Sequence, residues 1–100
     1  PADLVFALAL IHHLAISNNV PFELISEFFS KNCRNLIIEF VPKTDSQVKR
    51  LLSTREDIFL EYDYEHFEKE FEKFFKIVAK KEIKESERII YYMSNKKITD

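Results

Sequence analysis

A chain of 100 residues with 46% apolar and 32% charged residues has the size of one small domain and the composition of a globular one. Fifteen basic against seventeen acidic residues leave a net charge of −2, which gives no electrostatic basis for nucleic acid or an anionic membrane as partner. The single cysteine, Cys33, excludes an internal disulfide and fits a reducing cytoplasm. No apolar run reaches the roughly 18–20 residues of a membrane span, because His12 and His13 interrupt the longest one. The most informative count is zero glycines, where about 7% is usual. Glycine lets backbone approach a phosphate or turn with positive φ, so a nucleotide fingerprint of the GxGxxG or GxxxxGK kind is absent from these residues. The chain begins at Pro1 rather than Met, and the start of the protein is expected upstream.

Asp3-Leu-Val-Phe-Ala-Leu-Ala-Leu-Ile-His-His-Leu14 is a nearly continuous apolar run closed by Ser17-Asn18-Asn19. It predicts a strand buried on both faces of a parallel sheet, with helix as the competing reading for so many Ala and Leu residues. Asn18 and Asn19 are candidate caps for a helix with Pro21 in its first turn, and Leu24, Ile25, Phe28 and Phe29 form its apolar face to about Asn32. Leu36-Ile-Ile-Glu-Phe-Val41 is a second strand, stopped by Pro42, so the helix is a right-handed crossover between parallel strands. Asp45 or Ser46 caps a short helix carrying Val48, Leu51 and Leu52. Residues 54–63 read as the one long irregular stretch. Asp63 starts an amphipathic helix whose Phe67, Phe71, Phe74 and Phe75 read as core packing, with Glu and Lys residues between them on a solvated face. Strands over residues 76–84 and 87–94, with Glu85-Ser86 between them, predict a closing hairpin. The order is β-α-β-α-α-β-β, in one domain or one piece of a domain.

These segments resemble the second half of a known family. Asp3-Leu-Val-Phe-Ala-Leu-Ala-Leu-Ile-His-His-Leu14 is similar to the fourth-strand motif of class I S-adenosylmethionine-dependent methyltransferases, in which an acidic residue opens the strand and a Leu-His-His-Leu-like segment closes it. Leu36-Ile-Ile-Glu-Phe-Val-Pro-Lys43 looks like the fifth strand, and Glu87-Arg-Ile-Ile-Tyr-Tyr-Met93 like the last. Arg50-Leu-Leu-Ser-Thr-Arg-Glu-Asp-Ile-Phe59 is similar to a stretch in a nodulation-related subgroup of bacterial methyltransferases. The resemblance runs from about residue 2 to 95, and the family's Gly-rich loop and acidic ribose-binding residue have no counterpart here. It implies an α/β fold: the C-terminal half of a Rossmann-like methyltransferase sheet, strands four to seven, with the last strand antiparallel. It further implies S-adenosylmethionine as cofactor of the intact protein and an unidentified methyl acceptor, the fragment alone being inactive.

Ligands of open α/β sheets sit beyond the C-terminal strand ends where strand order reverses, which in this family lies beside strand four. Ala7, Leu8 and Ala9 are therefore expected to line the cofactor, against a plain buried strand as the alternative. His12 and His13, taken as the end of the same strand, are catalytic candidates: neutral imidazole can accept the proton of an attacking hydroxyl or amine. The resemblance puts His13 ahead, and the alternative is that one ring packs while the other is solvated. Glu39, a carboxylate in an apolar run, is a third candidate that orients a histidine or binds an acceptor hydroxyl; capping, or a salt bridge with Lys43, stays open. Arg55, Glu56 and Asp57 read as an acceptor-side loop or as a solvated charge run. No metal site is expected from His12, His13, Cys33 and Glu39, since adjacent histidines in a strand point to opposite faces. Without strand one as neighbour, the first strand leaves a long apolar edge, predicting a homodimer or a domain swap. The rival to the enzyme is a non-enzymatic α/β half-fold that binds partners through that edge.

Overall fold

A computed structural model describes residues 2–97. The first strand, β1, is only Ala2–Ala7, much shorter than the apolar run that contains it. It ends because Ala9 takes a left-handed conformation, φ 52°, and donates its N–H to the Glu39 carboxylate at 2.7 Å. Ile11 and His12 are then already helical and lead into a π-helical turn, His13–Ser17. The two histidines therefore do not close a strand, and Leu8 and Ala9 lie in the loop beyond it. A second left-handed residue, Asn19 at φ 54°, redirects the chain. Helix α1, Phe22–Asn32, starts from Pro21 in the capping position, with no side-chain cap from Asn18 or Asn19.

Strand β2 is Cys33–Phe40. The Asp45 side chain caps α2, Ser46–Leu52, by accepting from the Gln47 N–H at 2.9 Å. Asp63 caps α3, Tyr64–Phe71, through the His66 N–H at 2.8 Å. Strands β3, Phe75–Glu82, and β4, Ile89–Asn95, are joined by a turn in which Glu85, at φ 62°, occupies the left-handed region that glycine usually fills.

The four strands form one mixed sheet in the order β1-β2-β4-β3. β1 and β2 are parallel, whereas β4 runs antiparallel to both of its neighbours, so β3 shares the direction of β1 and β2. On β2, Leu36, Ile38 and Phe40 alternate toward one face and pair with Met93, Tyr91 and Ile89 on β4. Helices α1 and α3 cover that face: Phe40 packs on Phe22 and Phe67, and Phe67 packs on Phe71 and Tyr91. Phe67 and Phe71 are thus core, as their spacing implies, but the helix stops at Phe71: Phe74 lies half-buried in the turn that follows, and Phe75 is buried as the first residue of β3 rather than as part of a helical stripe. On α1 only part of the expected apolar face is buried. Ile25 and Phe29 are inside, while Leu24 and Phe28 remain 53% and 61% exposed.

The opposite face of the sheet carries Phe6, Ile37 and Tyr92 side by side in register. Phe6 is 62% exposed there, with Leu4 also open to solvent. Among the described residues, no helix is long and apolar enough to cross a membrane.

Candidate functional site

The C-terminal ends of β1 and β2 converge on a charged network. Glu39, next to last in β2 and 6% exposed, holds the Ala9 N–H from the loop after β1. Its same oxygen lies 3.6 Å from the Arg88 guanidinium. Arg88 also donates Nε and Nη2 to the two Asp45 oxygens, at 2.7 and 3.1 Å, in a fork-to-fork pair. This pairing pulls the Asp45 carboxyl below its ordinary range and raises the guanidinium further. Glu39 does not pair with Lys43, which instead binds both Asp57 oxygens at 3.0 and 2.9 Å. One guanidinium thus ties the turn before β4, the cap of α2 and the end of β2 to the segment after β1.

His12 sits beside this network at 0% exposure. Neither ring nitrogen has a hydrogen-bond partner among the described residues; Gln47 approaches the ring without completing a bond of good geometry. Burial, then the neighbouring His13, pushes the His12 pKa down, with Arg88 adding to the effect. A buried imidazole without a partner is stable only when neutral. His13 is exposed, and the two rings touch with centroids 4.2 Å apart and a tilt of 38°. The expectation that these neighbours point to opposite faces of a strand is therefore wrong, because both lie in helical backbone. Even so, no cluster of metal-ligating side chains forms among the described residues.

Of the residues expected to line a cofactor, Ala7 is buried and Leu8 and Ala9 form an exposed loop fixed by Glu39. Arg55 donates to the Ile16 carbonyl at 3.2 Å, and Asp57 is held by Lys43 and by the Phe59 N–H, so two of the three loop charges are structural.

A second feature escaped the sequence reading. Residues 58–62, within the stretch that reads as irregular, stand opposite residues 19–23 and enclose a cleft of about 470 Å³ together with His66 and Glu70 of α3. Tyr62 anchors this wall by donating its hydroxyl to the Val41 carbonyl and by packing on Phe22 and Phe40. The alternation Ile58, Leu60, Tyr62 was the available signal, with one ring sent inward and the two aliphatic residues left outside.

No protein-family model matches the chain, and no solved structure matches it. The chain is 43% identical over 90 residues to Nodulation protein NoeA of Rhizobium meliloti (strain 1021). That alignment covers 90% of this chain and 19% of the relative, so the chain spans about a fifth of the length of the protein it matches.

Proposed function

We propose that this chain is the C-terminal part of a methyltransferase domain that uses S-adenosylmethionine, with strands four to seven of the sheet represented by β1 to β4. The observation that carries the reading is strand direction: β1, β2 and β3 run one way and the last strand alone runs against them. That is the arrangement the sequence resemblance implies. The similarity to a nodulation protein adds support, since residues 50–59 resemble a nodulation-related subgroup of the same enzymes.

The residues after β1 fit the cofactor's edge. Leu8 is open, and the left-handed turn at Ala9 brings backbone rather than side chain to the strand end, while Ala7, the last residue of β1, is buried beneath them. When bound, the sulfonium supplies a methyl group already activated for transfer. The work left to the protein is then mainly positioning. Glu39 and Arg88 hold the loop that would line the cofactor, acting through the Ala9 N–H, so they are positioning residues. His12 is sealed from solvent, which leaves the exposed His13 as the candidate to accept a proton from the acceptor. The 100 residues alone should be inactive, because the rest of the cofactor pocket lies outside them.

The test is calorimetric binding of S-adenosylmethionine to the full product of the gene that encodes this chain. Binding is expected, and Leu8→Glu at the exposed loop should weaken it about tenfold, or ~1.4 kcal/mol. Absence of cofactor binding by the full product overturns the reading.

A second reading has its own observation. The apolar β1 edge and the open Phe6–Ile37–Tyr92 strip suit a non-enzymatic module that pairs or swaps elements with a second copy. Light scattering should then show a dimer that Leu4→Lys with Phe6→Lys converts to monomer. A monodisperse wild-type monomer removes this reading and leaves the enzyme untouched.

A further inference from the structure

The cleft between residues 19–23 and 58–62 has no role in the network at the strand ends. Its volume of about 470 Å³ lies inside the range of roughly 300–1,000 Å³ typical of small-molecule sites. Its walls are largely apolar: Val20 and Phe22 on one side face Phe59 and Tyr62 on the other. Leu60 stands at its border 82% exposed, and Ile58 beside it is 60% exposed. Large aliphatic side chains left in water on a loop, next to a cleft with aromatic walls, are placed to close on an apolar body.

The charges in the lining are Glu23, Glu61, Glu70 and His66, with no Lys or Arg among them. Two of these have a charged neighbour, although Glu70 Oε1 is buried without a hydrogen bond of good geometry. Lys73 pairs with Glu70 at 2.8 Å, and Asp63 holds His66 at 2.8 Å. Glu61 touches His66 only at 3.8 Å and is itself largely exposed. Glu23, in the first turn of α1, forms no close ion pair among the described residues, and Lys73 lies near enough to act on it electrostatically. One incompletely satisfied carboxylate therefore stands on each wall, with apolar surface between them. An anion would meet repulsion from both, and a neutral hydrocarbon would gain nothing from either, since both carboxylates are open to water. An ammonium group completes them, since charge-assisted hydrogen bonds to carboxylate are the stronger kind.

We propose that this cleft is a binding site for an organic ammonium, a single positive charge attached to an aromatic or aliphatic body. Residues 19–23 connect β1 to α1, and residues 58–62, between α2 and α3, are tied by Tyr62 to Val41 just past the end of β2, so the cleft lies toward the C-terminal strand ends where ligands of open α/β folds collect. The proposal stands whether or not the methyltransferase reading holds. Under that reading, the ammonium compound is the protonated form of the methyl acceptor or of a part of it.

The test uses the 100-residue chain, labelled with nitrogen-15, and two probes of nearly equal size: tryptamine, which is a cation, and indole-3-propionate, which is an anion. Tryptamine should shift the amide signals of residues 19–23 and 58–62 with a Kd of about 1 mM or tighter, and indole-3-propionate should not. Glu23→Gln or Glu61→Gln, both at the surface, should weaken tryptamine at least ~5-fold, while Glu27→Gln, outside the cleft, leaves it unchanged. Equal response to both probes, no response in these two segments, or undiminished affinity in both cleft variants overturns the proposal. Binding of S-adenosylmethionine plays no part in the readout, so failure here is separate from failure of the methyltransferase reading.

Discussion

The two flanks of the sheet are built to opposite rules. At the β3 edge stand Lys76, Lys80 and Lys81, a register shift between Ile77 and Ala79 breaks the ladder, and Lys80 reaches back to Glu68 at 3.0 Å. These are the devices by which a natural edge strand refuses a partner. At the β1 edge stand Leu4 and Phe6, with a single acidic residue, Asp3, held loosely by Arg34 at 3.6 Å. The face beside it continues the pattern through Ile37 and Tyr92. One flank is finished for water. The other carries apolar surface that a neighbouring element or a second copy would cover.

The largest expected effect compares one chemical change in the core and at the β1 flank. Phe67→Ala removes a fully buried ring and should cost about 3–5 kcal/mol in urea denaturation. Phe6→Ala should change stability by less than about 0.5 kcal/mol. A comparable loss at Phe6 would mean that something already covers that face, and the cost should then depend on protein concentration.

Next in size is the anchor that shapes the loop after β1. Arg88→Met leaves the buried Glu39 and the half-buried Asp45 without their shared cation, which should cost about 2–4 kcal/mol. Lys80→Met, at the water-finished flank, breaks a pair exposed to solvent and should cost less than about 1 kcal/mol. Equal losses would erase the distinction between an architectural charge and a protective one.

The smallest effect is set by pH. The folded pKa of His12 lies below its unfolded value of 6.5, so below that pH the unfolded chain binds a proton that the folded chain refuses. Stability is therefore retained above about pH 6.5 and falls as pH drops toward the folded pKa, by at most ~1.4 kcal/mol per pH unit. Denaturation series at pH 7.5 and 5.5 should show this fall in the wild type and a shallower one in His12→Phe. Identical slopes would mean that the ring is solvated after all.

Much of this architecture is legible in the residues because most elements declare themselves locally. The spacing of Phe67 and Phe71, the Asp45 and Asp63 caps and the apolar run from Leu36 each satisfy a rule that acts within a few positions. The first run misled because its end is decided from 30 positions away, where Glu39 captures the Ala9 N–H and turns the chain. Nothing between Ala7 and Leu14 signals that capture, so an apolar tract that reads as one strand is a strand, a loop and the start of a helical turn. The same long-range contact made Glu39 visible as an unusual carboxylate while hiding its partners, Ala9 and Arg88. His12 and His13 stood out as a pair, but only their helical backbone separates the buried ring from the exposed one. The cleft was invisible for a related reason: its wall at residues 58–62 has no regular structure and is held by the bond from Tyr62 to Val41, 21 positions away.

The most direct test of the central claim is to read the coding region upstream of Pro1. The methyltransferase account predicts a strand followed by a Gly-rich turn, with an acidic residue about twenty positions later, supplying the neighbour that β1 lacks. A start codon immediately before Pro1, or an upstream sequence without that pattern, would contradict it and make the apolar flank an interface in its own right.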